Sequence, residues 1–263
     1  GVDRVFRIGG AQAIAAMAFG TETVPRVDKI CGPGNVFVSI AKHLVYGQVD
    51  IDGLFGPTET VVIADDQTNP VLAAADLLAQ AEHDEMASPI LITTSLDVAS
   101  AVSIEVDRQL ISLERQAVAT SAMDRQGVAV VVDTVEQAVT LANAFAPEHV
   151  CLLVTEPDRY IALIRNAGGI FVGDRSPEVI GDYVAGPSHI MPTGGTARYA
   201  SSVGVHTFLK RIPVVALTET MIKQVGPAAA TIARVEGLTA HAKAVEMRLE
   251  GSLTDATPGR KAD

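Results

Sequence analysis

The sequence predicts an α/β fold built on parallel strands, and three observations carry that reading. Strand-like runs alternate with helical patterns from the first residues onward, the order that produces parallel strands joined by helical crossovers. Hydrophobic residues make up 48% of the 263-residue chain, with Ala, Val and Ile prominent, enough to build a core for one or two domains. No apolar run reaches the roughly 18 residues of a membrane span. No charged-then-apolar leader opens the chain either, so the expected location is the cytoplasm. The formal net charge of −11 argues against nucleic acid or an anionic membrane as partner and favours a small molecule.

In chain order, residues 5–8 read as a strand, Gly9-Gly10 as its turn and residues 11–19 as a helix. Residues 27–31 form a second short strand and residues 36–45 a helix, with Gly32-Pro33-Gly34-Asn35 between them. Glycines between a strand and a helix N-terminus let backbone N–H groups approach a phosphate. Neither turn has the Gly-x-Gly-x-x-Gly fingerprint, so the plain reading of a tight βα turn comes first. Gly56-Pro57-Thr58-Glu59 then leads into a strand at residues 60–64 that ends at Asp65-Asp66. Pro70, well placed in a first helical turn, opens a helix to about residue 85. Gln80 and His83 share a face of that helix, with Asp76 four residues before Gln80. Such a pair either shares a metal ion or simply hydrogen-bonds, and Gln is an uncommon zinc ligand.

Next come a strand at residues 89–93, a long helix to about residue 115, an ambiguous polar stretch at 116–126 and a strand at 128–132. A helix at 135–145, a strand at 150–154, a helix at 157–167 and a strand at 170–172 complete the alternation. Ala146-Pro147-Glu148-His149 occupies the loop between helix and strand. There a carboxylate and an imidazole stand side by side, able to serve two proton transfers on one substrate, although charged loop residues are more often merely solvated. Residues 173–196 hold five glycines and three prolines, an irregular segment of the length that is usually functional or disordered. Asp174, Glu178, Asp182, His189 and Arg198 fall in or beside it, and Asp182 and His189 are the ones suited to bind metal or move protons. Beyond a linker with an apolar run at 214–217, helical patterns at 221–224, 228–236 and 238–249 suggest a small appended domain carrying Glu236 and His241. Residues 252–263 read as disordered. Cys31 and Cys151 read as reduced core thiols, and His43 and His206 as structural or solvated.

Seven segments, taken together and in order, resemble the histidinol dehydrogenase family. They are Gly9-Gly10-Ala11-Gln12-Ala13, Gly32-Pro33-Gly34-Asn35, Gln80-Ala81-Glu82-His83, Ala146-Pro147-Glu148-His149, Gly181-Asp182-Tyr183, Ser188-His189-Ile190-Met191-Pro192-Thr193 and Glu236-Gly237-Leu238-Thr239-Ala240-His241. The resemblance implies an aldehyde-dehydrogenase-like fold of two Rossmann-like domains plus a small helical C-terminal domain. Residues 1–59 would be the remainder of the NAD-binding domain, 60–197 the second Rossmann-like domain with the catalytic loop, and 198–251 the helical domain. Family members carry a long N-terminal region not found in this chain, so a truncated form of low activity is expected.

The implied reaction is the zinc- and NAD-dependent four-electron oxidation of L-histidinol to L-histidine through L-histidinaldehyde. By the same resemblance Gln80, His83, Asp182 and His241 hold one zinc ion, His149 is the base for the hydroxyl proton and Glu148 activates water. Gln12 and Asn35 fall where family members contact NAD. Thr58, Gln80, His83, Glu148, Asp182, His189, Glu236 and His241 fall where they contact substrate. Glu236 and His241 would be contributed across a homodimer interface. Thr58 stands where serine is expected and keeps the hydroxyl while adding a methyl. Two rival readings remain: a related zinc- and NAD-dependent secondary alcohol dehydrogenase acting on a small diol such as sulfopropanediol, and an inactive metal-binding fragment.

Overall fold

The computed structural model describes residues 1–250. The chain divides into two compact units, Gly1–Leu209 and the part from Lys210 onward. In chain order the first unit contains α1 (Gly10–Phe19), β1 (Lys29–Ile30), α2 (Val36–Val45), β2 (Asp50–Ile51), β3 (Glu59–Ala64), α3 (Pro70–Ala81) and β4 (Ser88–Thr93). It continues with α4 (Leu96–Leu110), α5 (Gln116–Gln126), β5 (Val128–Val131), α6 (Val135–Phe145), β6 (His149–Leu153), α7 (Asp158–Ile161), β7 (Gly169–Val172) and α8 (Glu178–Tyr183).

Five parallel strands form the main sheet in the order β5-β4-β3-β6-β7. The chain starts at the central β3, steps outward to β5, then crosses back to β6 and β7, so the direction of winding reverses between β3 and β6. β3 and β6 read as continuous apolar runs because helices cover both faces of the sheet. Successive side chains point to opposite faces. Val62, Ala64, Leu91, Cys151 and Leu153 meet α3 and α4 in one core, while Val61, Ile63, Ile92, Val150 and Leu152 meet α6 and Tyr160 in the other. Each fully buried Val, Ile or Leu contributes roughly 1.5–3 kcal/mol of transfer free energy.

A two-stranded parallel sheet of β1 and β2 packs Ile30 and Val49 with Ile14, Ala18 and Val45 of α1 and α2. Beside it Lys42, 1% exposed, forms an ion pair with the buried Asp52 and donates to the Gly32 carbonyl at 2.9 Å. Asp52 also accepts from the Gly32 N–H at 2.7 Å, so the pair pins the Gly32–Asn35 turn from both sides.

Several elements depart from the sequence-based expectation. Residues 5–8 form no strand, because they pair with no neighbouring strand among the described residues. The helix expected at 157–167 stops at Ile161: the Asn143 side chain donates to Leu163 O at 2.8 Å and accepts from the Arg165 and Asn166 amides, drawing 163–166 into a turn. The ambiguous stretch 116–126 is helical, since Ala119 and Ala122 pack tightly on Ala81 and Ala87. Cys31 is exposed rather than a core thiol, whereas Cys151 is buried as expected.

In the second unit, the patterns at 221–224 and 228–236 belong to one helix, α9 (Glu219–Val235), which continues through Pro227. The apolar run at 214–217 is neither strand nor helix. Gly237, in the left-handed region at φ 75°, turns the chain into α10 (Thr239–Leu249). Arg234 and Glu246 clamp the two helices with bonds of 2.7–3.0 Å. The segment 252–263 lies outside the described residues. Among the described residues no helix is long and apolar enough to cross a membrane.

Candidate active site

The polar cluster of the first unit gathers at the N-terminal edge of the main sheet. Parallel register puts Thr60 beside His149, so Thr58-Glu59-Thr60 and Glu148-His149 enter their strands side by side. This is the edge opposite the carboxyl ends that bind ligands in many open α/β sheets. At the carboxyl end Asp65 is instead consumed by its own loops, accepting from Gln67 N at 3.0 Å and Thr155 N at 2.5 Å. His149 is the first residue of β6, not a loop residue, and only Glu148 remains in the connector.

Local backbone chemistry explains how that connector is built. Ala146 ends α6 in the left-handed region at φ 60°, and its N–H still reaches Ala142 O at 2.7 Å. A non-glycine residue there stores on the order of 1 kcal/mol of strain. The Pro147 and Glu148 carbonyls then accept from Gly168 and Gly169 at 3.0 and 2.8 Å. A Cβ on Gly168 would lie 2.6 Å from the Glu148 carbonyl oxygen, so glycine is required for this close approach.

Two further elements complete the cluster. The last turn of α3 places Gln80, 3% exposed, under β3. α8 places Glu178 and Asp182 one turn apart, with Glu178 Oε2 3.6 Å from His149 Nδ1 and Asp182 Oδ1 3.9 Å from His149 Nε2. Phe171 meets the imidazole edge-on at 5.6 Å. A Cβ on Gly181 would lie 2.4 Å from Phe171, so glycine lets α8 approach the ring.

One hydrogen-bond network joins these groups. Thr58 Oγ1 donates to Glu148 Oε2 at 2.6 Å, and Thr60 Oγ1 donates to Glu178 Oε2 at 2.5 Å. The partners orient the Gln80 amide: its nitrogen donates to Thr60 Oγ1 at 2.7 Å and Glu178 Oε1 at 2.8 Å. Its oxygen faces the Glu59 N–H at 3.2 Å and the Thr58 hydroxyl. Thr60 already gives its one proton to Glu178, so the opposite amide orientation would set two acceptors against each other. His149 Nε2 and Glu59 Oε2 are buried and, among the described residues, have no hydrogen-bond partner.

Burial drives the acid and the base in opposite directions. Desolvation raises Glu148 to about 7, opposed by its bond from Thr58 and reinforced by the charges of Asp182 and Glu59. Desolvation lowers His149 to about 4, partly offset by hydrogen bonding to the Glu59 backbone. Glu178 is pushed up to about 8 and Asp76 to about 6, first by burial and then by neighbouring carboxylates. Glu59 and Asp182 are raised chiefly by burial, and His83 and His189 lower Asp182 electrostatically. Among the described residues none of these acids has a Lys or Arg ion-pair partner.

Among the described residues no three His, Cys, Asp or Glu side chains are by themselves placed to hold a metal ion, so a cation site here would also need Gln80. Gln80, His83 and Asp182 offer an amide oxygen, an imidazole and a carboxylate, a chemically sensible donor set for zinc. Thr58 has one hydroxyl proton and two acceptors, Gln80 Oε1 and Glu148 Oε2. Turned to Glu148, it leaves a lone pair on the Gln80 oxygen. α3 ends at Ala81, so His83 sits in the turn beyond it rather than on the same helical face as Gln80, with its N–H bonded to Gln80 O at 3.1 Å.

The structure therefore brings together Thr58, Gln80, Glu148, His149 and Asp182, with exposed His83 and His189 flanking Asp182. It adds Thr60 and Glu178, to which the sequence reading gave no role. Gln12 and Asn35 belong to the smaller sheet's helices. Gln12 is exposed on α1, and Asn35 caps α2, accepting from the Phe37 and Val38 amides. Glu236 and His241 lie in the second unit, lining one groove with Ile232, Ala233 and Leu238.

The sequence model of the histidinol dehydrogenase family matches residues 1–249. The chain belongs to the histidinol dehydrogenase family. Histidinol dehydrogenase of Deinococcus radiodurans is 54% identical over 252 residues, covering 95% of this chain and 58% of the relative. That of Dehalococcoides mccartyi is 51% identical over 250 residues, covering 95% and 57%. The chain thus spans a little over half the length of the curated relatives it matches. The crystal structure of histidinol dehydrogenase from Elizabethkingia anophelis superposes with a TM-score of 0.88 at 41% identity, over 92% of this chain and 56% of that one. An acetylating aldehyde dehydrogenase from Geobacillus thermoglucosidasius shares the fold alone, with a TM-score of 0.50 at 14% identity, over 78% and 60% of the two chains.

Proposed function

We propose that this chain carries the catalytic residues of an NAD- and zinc-dependent oxidation of L-histidinol to L-histidine through L-histidinaldehyde. The observation that supports it most is the contrast between two adjacent groups. His149 is neutral at physiological pH with Nε2 buried and unpartnered, while Glu148 is poised near neutrality beside it. A base and a water activator with distinct environments are what two successive oxidations require.

In the alcohol half, His149 takes the hydroxyl proton as hydride leaves the carbon that bears the oxygen. In the aldehyde half, Glu148 takes a proton from water as the water oxygen adds to the carbonyl carbon, and protonated His149 returns its proton to the carbonyl oxygen, giving the hydrate and a neutral imidazole. His149 then removes a hydroxyl proton from the hydrate as the second hydride leaves, giving the acid. NAD supplies the hydride acceptor in both halves, two per substrate, and Gln12 and Asn35 would contact it. Zinc would be held by Gln80, His83, Asp182 and the partner subunit's His241, and would supply a fixed anchor that orients the substrate. Thr58, His189 and the partner subunit's Glu236 would complete the substrate contacts in a homodimer.

NADH formation with L-histidinol and zinc tests this reading. It should be run on the chain alone and on a chimera supplying the part of the Deinococcus relative that the chain does not match. Turnover by the chimera that is lost in His149→Asn supports it. A zinc-loaded chimera inactive on histidinol but active on a small diol overturns the substrate assignment.

A further inference from the structure

We infer that Lys42 and Asp52 are positioning residues for the dinucleotide: their buried pair sets the Gly32–Asn35 turn so that the Asn35 side chain meets the cofactor. The inference rests on the reading that Asn35 contacts NAD. Among the described residues, every side-chain hydrogen bond the pair makes outside itself goes to loop backbone. Lys42 Nζ donates to the Gly32 carbonyl at 2.9 Å, and Asp52 accepts from the Gly32 N–H at 2.7 Å and the Gly53 N–H at 2.8 Å. Gly32 is held by both of its backbone polar groups at φ 121°, a conformation open to glycine and few other residues. Lys42 belongs to α2 and Asp52 follows β2, so the turn is fixed from helix and sheet at once. A buried ion pair adds little stability over apolar side chains of similar volume. What it adds here is direction, because Met and Leu in these places would fill the space and leave Gly32 without its two partners.

The turn ends at Asn35, whose side chain is fixed by the helix it caps. Its Oδ1 accepts from the Phe37 and Val38 amides at 3.1 and 3.2 Å, and among the described residues its side-chain nitrogen has no partner. Asn35 is exposed, so that nitrogen is left to donate to an acceptor on a bound molecule, such as a phosphate or carbonyl oxygen of NAD. The same pair registers the turn against the acid and base. Lys42 Nζ lies 4.8 Å over the Phe55 ring, and Ser39 of α2 donates to the Phe55 carbonyl at 2.7 Å. From Phe55 the chain runs directly into the cluster, where the Gly56 N–H donates to Thr193 Oγ1 at 2.6 Å and Thr58 Oγ1 donates to Glu148. One buried pair thus ties the turn and the segment that delivers Thr58 into a single frame. A pair serving only the core of the small sheet would have no reason to direct its bonds at these two loops.

Replacing both partners together separates positioning from folding. Lys42→Met combined with Asp52→Leu keeps the volume and leaves no buried charge unpaired, so in the chimera it should melt close to wild type. Its KM for NAD, and its Kd for NADH titrated by fluorescence without histidinol, should rise about 10-fold, the worth of one ligand hydrogen bond. kcat at saturating NAD and KM for histidinol should stay near wild type. Hydrogen–deuterium exchange gives a reading that needs no variant: NADH should slow exchange in the wild-type 31–37 peptide, and the double substitution should speed it. A wild-type turn that NADH leaves unprotected overturns the inference, even if the double variant fails to fold. A folded double variant with wild-type NADH affinity overturns it too, as does one whose kcat falls in step with its affinity. If the wild-type chimera binds no NADH, the NAD reading fails and the inference with it. If it binds NADH but does not oxidise histidinol, the proposed reaction alone fails, and affinity and exchange still decide the inference.

Discussion

Freed of metal, the folded chain should lose stability as pH rises from 6.5 to 8.5. Burial pushes Glu148 up to about 7 and Glu178 up to about 8, against about 4.3 for glutamate in an unfolded chain. Across this window the unfolded chain has already released both protons, whereas the folded chain still holds them. The folded state binds more protons, so stability falls with rising pH. Both contributions are fully present below the unfolded value and disappear as pH climbs through the folded ones. Integrated over the window, Glu178 accounts for roughly 2 kcal/mol and Glu148 for roughly 1 kcal/mol. The two acids share one site and are not independent, so the total loss is on the order of 2–3 kcal/mol. His149, lowered to about 4 by burial, acts in the opposite sense, contributing stability above its unfolded value of about 6.5 that is lost as pH falls through about 4. Only the last part of that effect, a few tenths of a kcal/mol, falls inside the window. Urea denaturation with chelator at pH 6.5, 7.5 and 8.5, followed by circular dichroism, measures the slope, and Glu178→Gln should remove the larger share of it. An unfolding free energy that stays flat or rises across the window would refute the claim that burial holds these protons.

Other predictions follow from neighbouring features. Zinc added at pH 8.5 should restore stability by offsetting the buried negative charge, and Asp182→Asn should weaken zinc binding measured calorimetrically. Gly181→Ala places a Cβ 2.4 Å from Phe171, and overpacking of that kind should cost about 1–3 kcal/mol in a thermal melt. Lys42→Met leaves Asp52 buried without its partner and should cost about 3–5 kcal/mol; a melting temperature within error of wild type would count against the ion pair as the support of the Gly32 turn.

The sheet was legible because β3, β4 and β6 are uninterrupted apolar runs bounded by turn residues, a pattern that periodicity and composition both recognise. α6 was legible to its end for a similar reason, with Thr134 as its cap and Pro147 just beyond. α7 was not, because its stop signal is the Asn143 side chain, about twenty residues away in sequence. The site divides along the same line. Glu148 and His149 drew notice as adjacent acid and base, but nothing local reveals that Thr60 stands beside His149, which depends on strand register. Glu178 lies in a stretch so rich in Gly and Pro that a short helix was hidden, and its place in the cluster emerges only when α8 rests against the strand starts. The spacing of Glu178 and Asp182 by four residues was the available signal.

The central claim is the division of labour between Glu148 and His149, and counting NADH formed per L-histidinol in the active chimera tests it most directly. Wild type should form two NADH per substrate. Glu148→Gln should form one and accumulate aldehyde, trapped with a carbonyl reagent, because alcohol oxidation needs only His149; His149→Asn should form almost none. If Glu148→Gln still forms two NADH at the wild-type rate, or if it blocks the alcohol step as fully as His149→Asn does, the assignment of water activation to Glu148 is contradicted.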